Sequence, residues 1–238
     1  MVQDVHFGSL VYEYQTMDVA GPLDLLNLAS RRVAEYGLAH GAAISQETID
    51  KSPNFIFHHI GESLDPVPLM SSGFKITPTD TLDDCPELDH LLIGGPMPET
   101  FEFSPKYIDF IKRHHAAGKT IFTTCTGASA LASTGILDGK NATVNNVEYN
   151  WIAKKYPKVK WSNDKKWVID GNIWTGGGVI AGMDMFAHWL EKTYGKDVMI
   201  AAAMQLDYEP RDINGMTGVI PLRYDASGKQ IPTTVFPN

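Results

Sequence analysis

Ile121-Phe122-Thr123-Thr124-Cys125-Thr126-Gly127-Ala128-Ser129-Ala130 reads as an apolar strand, a cysteine in a sharp turn, and a helix of small residues. This is the pattern of a nucleophile elbow, where the turn exposes the reactive atom between strand and helix. Small residues are required because the new helix packs closely on the strand. The first turn of that helix presents unpaired N–H groups and the positive end of its dipole to the sulfur, which predicts a lowered thiol pKa. The same N–H groups can stabilise a developing negative charge. The competing reading is a buried, inert cysteine. Cys85, in the acidic loop Asp83-Asp84-Cys85-Pro86, reads as a bland residue.

Working outward, strands alternate with helices. His6 to Tyr12 reads as a first strand, and Pro22 as the start of a helix behind Asp18-Val19-Ala20-Gly21. Leu91-Leu92-Ile93 is a compact apolar run stopping at Gly94-Gly95-Pro96, as a buried parallel strand would. A helix over Tyr107 to Ala117 ends at Gly118, the strand Thr120 to Thr124 follows, and Gly127 to Ser133 is the small-residue helix. Asn141 to Val144 is read as a strand and Glu148 to Tyr156 as a helix. Asp170-Gly171 joins two strands in a hairpin, and helices over Val179 to Thr193 and Lys196 to Leu206 close the pattern. The segment 29–54 is read as an extension of the first helix followed by an irregular excursion, a lid if it folds over the strand ends. The expectation is one domain over 1–238. Its class is α/β: a three-layer αβα sandwich, flavodoxin-like, with a mostly parallel sheet and functional groups at the strands' carboxyl ends.

Bulk properties narrow the function. The 238-residue chain carries a formal charge of -8 and no Lys/Arg run, which argues against nucleic acid or anionic lipid as a partner. Its two cysteines build neither a disulfide framework nor a thiolate metal site, and the eight histidines show no ligand spacing. No basic-then-apolar leader and no membrane-spanning run is visible, so the expected compartment is the cytoplasm, without a membrane partner. No metal and no organic cofactor is expected.

With three further stretches, the elbow resembles the ThiJ/PfpI superfamily, which shares the class I glutamine amidotransferase-like fold. The stretches are Met17-Asp18-Val19-Ala20-Gly21-Pro22-Leu23-Asp24, Leu92-Ile93-Gly94-Gly95-Pro96, and Trp174-Thr175-Gly176-Gly177-Gly178-Val179-Ile180-Ala181-Gly182-Met183-Asp184. They resemble the branch that contains isocyanide hydratases and the amidotransferase-like domains of some transcription regulators. The resemblance implies Cys125 as nucleophile and Asp18 as the acid beside it, kept protonated by burial and like charge so that it can donate a proton. The alternative for Asp18 is a helix N-cap. Gly95 and Thr126 would supply N–H groups to an anion pocket, with Gly95 needed for close approach. Gly177 and Gly178 would line the same pocket, or simply make a turn. Asp24 is the rival carboxylate but lies inside the helix and is read as facing solvent, and Asp184 reads as structural.

Two features depart from the family. Thr126 stands where many relatives carry a histidine, which disfavours histidine-dependent protease, amidase and glyoxalase-type chemistry. Asn145-Asn146 replaces the His-Trp common in the branch, and Asn145 is read either as a neutral pocket donor or as a helix cap. The function this implies is a cofactor-independent lyase acting on a small molecule, an isocyanide hydratase-like enzyme yielding an N-substituted formamide. The alternatives are the same pair turned to another small electrophile, and a non-catalytic redox sensor. The family resemblance also implies a homodimer.

Overall fold

The computed structural model describes residues 4–71, 73–218 and 227, so both ends of the expected domain lie partly outside the described residues. The chain runs β1 (Asp4–Leu10), α1 (Met17–Leu28), α2 (Arg31–Ala39), α3 (Gln46–Lys51), β2 (Asn54–Gly61), β3 (Val67–Pro68), β4 (Lys75–Ile76), β5 (Asp80–Thr81) and β6 (His90–Ile93). It continues through α4 (Pro105–Ala116), β7 (Thr120–Thr124), α5 (Gly127–Ser133), β8 (Asn141–Ala142), α6 (Tyr149–Lys155), β9 (Lys160–Trp161), β10 (Trp167–Asp170), β11 (Ile173–Gly176), α7 (Val179–Tyr194) and α8 (Lys196–Gln205).

The described residues divide into two compact units. One comprises Val5–Gly21 and Ile56–Gly182; the other holds Pro22–Phe55 and the described residues from Met183 onward. The first contains the sheet, ordered β10-β11-β7-β6-β1-β2-β5. The pairs β1–β6, β6–β7, β7–β11 and β2–β5 are parallel, and β10–β11 is the antiparallel hairpin. Neighbouring residues of a strand face opposite sides. Leu91, Leu92 and Ile93, like Ile121, Phe122 and Thr123, are all fully buried, so the central strands are covered on both faces. The fold is therefore α/β with a mostly parallel sheet, as the alternation predicts.

The local chemistry of α4 is plain. Pro105 opens it, Tyr107, Phe110, Ile111 and His114 form its buried stripe, and Gly118 follows at φ 74°.

In the second unit, 29–54 is not an irregular excursion. It forms α2 and α3, which enclose a small core of Ala34, Ala42, Ile44 and Ile49, and α3 packs on α8. The two helices are nine and six residues long, too short for a helical period to stand out in the sequence. Asp184 anchors the same unit. Fully buried, it accepts from the Arg211 N–H at 3.0 Å and Nε at 2.8 Å, and from the Tyr208 hydroxyl.

Two further expectations change. Pro22 lies inside α1 rather than at its start, so Asp18 sits in the helix's first turn. The strand over 141–144 shrinks to β8, which pairs with β9 outside the main sheet.

Candidate active site

The elbow forms where the sequence places it. Cys125 adopts φ 55°, a left-handed conformation that a non-glycine residue holds only under constraint. Its N–H donates to Gly176 O at 3.0 Å, tying the turn to the end of β11. Gly127 permits the close packing: a Cβ there would lie 2.3 Å from Ile93 O. Cys125 retains 7% of its surface, so its side chain is buried but not sealed.

Asp18 is completely buried. Its Oδ2 accepts from the Gly95 N–H at 2.8 Å, while among the described residues Oδ1 has no hydrogen-bond partner. Gly95 is where the chain must come close. A Cβ on it would lie 2.6 Å from Asp18 Oδ2 and 2.6 Å from Thr126 Oγ1. The Gly94–Pro96 turn is held at each carbonyl: Tyr12 Oη donates to Gly94 O (2.6 Å), Gln15 N–H to Gly95 O (3.0 Å) and Thr126 Oγ1 to Pro96 O (2.6 Å). The Gly95 N–H is thus engaged by Asp18 and is not a free anion donor, contrary to expectation. Its work is to hold the acid. The Tyr12 and Thr126 hydroxyl contacts were missed because both partners lie far away in sequence.

The electrostatics also differ from the sequence reading. Burial pushes the Asp18 carboxyl up to about 7, while the Gly95 N–H and the Cys125 side chain pull it down. Burial, with the Asp18 charge added, pushes the Cys125 thiol up to about 11; the Asn145 amide and Thr126 pull it back. What the helix's first turn contributes toward lowering the thiol is outweighed by desolvation of the sulfur, so the net shift is upward. Two acids in contact titrate as a pair. Below about pH 7 the pair holds two protons, and between about 7 and 11 it holds one. A carboxyl group near 7 is well matched to moving a proton in either direction at neutral pH.

Asn145 reaches the sulfur and also shapes its own loop. Its Nδ2 donates to Cys125 Sγ at 3.2 Å, and its Oδ1 accepts from the Val147 N–H at 2.9 Å. The second bond fixes the amide's orientation, because only the oxygen can accept. The NH2 group must then face the sulfur.

The sequence profile of the DJ-1/PfpI family matches residues 10–192. The chain belongs to the DJ-1/PfpI family. It is 31% identical to the isonitrile hydratase of Pseudomonas putida over 209 residues, covering 87% of this chain and 79% of that protein. It is 28% identical to the HTH-type transcriptional regulator GbdR of Pseudomonas aeruginosa over 139 residues, 58% of this chain but 38% of that one. A ThiJ/PfpI family protein from Pseudomonas syringae has the same fold, with a TM-score of 0.68, 23% identity, and coverage of 88% of this chain and 77% of that one.

In this DJ-1/PfpI chain, the remaining glycines separate by role. The Gly177 N–H donates to Lys166 O at 2.8 Å, so it is not available to an anion. A Cβ on Gly178 would lie 3.9 Å from Asn145 Nδ2, which places Gly178 beside the amide that faces the sulfur. Asp24 is exposed on α1. Cys85 is half-buried, and burial pushes its thiol up to about 12. Among the described residues no group of three His, Cys, Asp or Glu side chains is arranged to hold a metal, and no helix is long and apolar enough to cross a membrane.

Proposed function

We propose that this protein is a cofactor-independent lyase that hydrates a small organic isonitrile to an N-substituted formamide. The observation that carries the reading is the buried Asp18 carboxyl, raised to about 7, facing a cysteine held at a strained elbow. The 31% identity to an isonitrile hydratase over most of both chains supports the choice of substrate.

The chemistry balances with these two groups and water. As Sγ bonds to the terminal carbon of R–N≡C, the thiol proton passes to the Asp18 carboxylate. Asp18 then protonates that carbon, giving the thioimidate R–N=CH–S–Cys125. Water adds to the carbon with Asp18 receiving its proton, and the proton moves on to nitrogen. Collapse of the adduct breaks the C–S bond, returns the hydroxyl proton to sulfur and releases R–NH–CHO. The Asn145 amide steadies charge on sulfur in the first and last steps.

The test is formation of N-cyclohexylformamide from cyclohexyl isocyanide, followed by mass spectrometry. Wild type should turn over, Cys125→Ala should not, and Asp18→Asn should lose about a hundredfold or more. A folded wild type that alkylates at Cys125 but yields no formamide would overturn the substrate assignment. It would favour another small electrophile. Oxidation of Cys125 at low peroxide without turnover would favour a sensor. We further propose a homodimer acting in the cytoplasm, to be checked by light scattering and cell fractionation.

A further inference from the structure

Two residues outside the proton-transfer pair act on one atom, the main-chain oxygen of Asp18. In an α-helix this carbonyl would accept the N–H of the residue four positions on. That residue is Pro22, which has no N–H to give. The carbonyl instead accepts from Thr124 Oγ1 at 2.9 Å, in a buried contact.

Thr124 is the last residue of β7 and the immediate neighbour of Cys125. Its rotamer is restricted. The absent side chain of Gly182 leaves room for its γ-methyl, since a Cβ there would lie 2.5 Å from Thr124 Cγ2. A β-branched side chain confined at its methyl has little freedom at χ1. Its hydroxyl is thus held toward Asp18. The acid is gripped at two points: Oδ2 by the Gly95 N–H and its main-chain oxygen by Thr124.

We infer that Thr124 is a positioning residue for the Cys125–Asp18 pair. Its hydroxyl takes the place of the helix bond that Pro22 removes, and so ties the first turn of α1 to the strand that carries the nucleophile. With an ordinary residue at position 22 the carbonyl would be satisfied within the helix, and nothing would require this tie. The inference rests on the pair being the reactive site but not on the identity of the substrate.

The experiment is alkylation of Cys125 in the whole chain by iodoacetamide between pH 6 and 10, quantified on the Cys125 peptide. Among the described residues, the ionisable groups bearing on Asp18 besides Cys125 are Tyr12 and Tyr14, whose phenols burial pushes well above this range. Thr124→Val should free Asp18 from the sulfur and relieve the charge that raises the thiol, so alkylation at pH 8 should quicken by about threefold or more. Thr124→Ser, which keeps the hydroxyl, should retain the wild-type profile.

The double variant Thr124→Val/Pro22→Ala separates positioning from mere satisfaction of a carbonyl. Its new N–H satisfies Asp18 O inside the helix, so thermal stability should recover while the alkylation profile stays altered. Recovery of both, or a wild-type profile in Thr124→Val, would overturn the inference. If Thr124→Val alone does not fold, the double variant is read by the same criterion. Isonitrile turnover enters none of these readings, so failure of the proposed reaction and failure of this inference are distinguishable.

Discussion

Asn145 Nδ2 lies 3.2 Å from Cys125 Sγ, with its amide orientation fixed by the Val147 N–H on Oδ1. A neutral donor stabilises the thiolate over the thiol without adding charge. It is one of the groups that pull the Cys125 thiol down from the level that burial and Asp18 impose. Asn145→Ala should therefore raise the thiol pKa and slow alkylation at pH 8 by about tenfold, the worth of one hydrogen bond to a charged atom. Asn145→Asp, which adds a like charge, should slow it further. Cys85, held up at about 12, supplies little background.

Asp18→Asn should change the pH dependence of stability. The Asp18 carboxyl is at about 7 in the folded chain, above its ordinary value of 3.8. The folded state therefore binds the proton more tightly than the unfolded one. Its contribution is fully present below about pH 4 and is lost as pH rises toward about 7. Asp18→Asn removes that loss, so above pH 7 the variant should be the more stable protein by on the order of a few kcal/mol. Urea unfolding at pH 5 and pH 8 measures it, and equal wild-type stability at both would contradict the raised value.

The elbow should not tolerate a methyl group at Gly127. The added Cβ would meet Ile93 O at 2.3 Å and Gly94 O at 2.9 Å, both main-chain atoms of the neighbouring strand and its turn. Gly127→Ala should cost about 3 kcal/mol of unfolding free energy and disturb Cys125 alkylation as well. Gly178→Ala, whose Cβ would have no atom of the described residues nearer than 3.9 Å, should be mild by the same urea measurement.

Asp184→Asn should act on stability alone. It weakens the contacts to Arg211 and Tyr208 and should cost about 2 kcal/mol, as lost hydrogen bonds to a charged group do. The rate of Cys125 alkylation should be unchanged. A large change would make Asp184 part of the site rather than of the scaffold.

How much was legible depends on distance along the chain. The strand, cysteine, glycine and small-residue helix of the elbow are contiguous, and β7 and α5 fall where periodicity puts them. The Asp170-Gly171 hairpin is equally local, with Gly171 at φ 61°. Less local features were misjudged. Pro22 reads as a helix start, yet here it sits within α1, where the carbonyl it leaves without a helical donor is met by Thr124. Gly95 reads as an anion donor, yet its N–H is engaged by a carboxylate 77 positions away.

The sequence alone determined the elbow and its cysteine and most of the longer strands and helices, because periodicity and turn preference act over a few neighbouring positions; Asp18 was singled out by the resemblance to the family. Only the tertiary structure decided where the protons lie. That depends on how far Asp18 and Cys125 are removed from water and which distant donors reach them. Desolvation is a property of the packed interior, and no stretch of chain carries it.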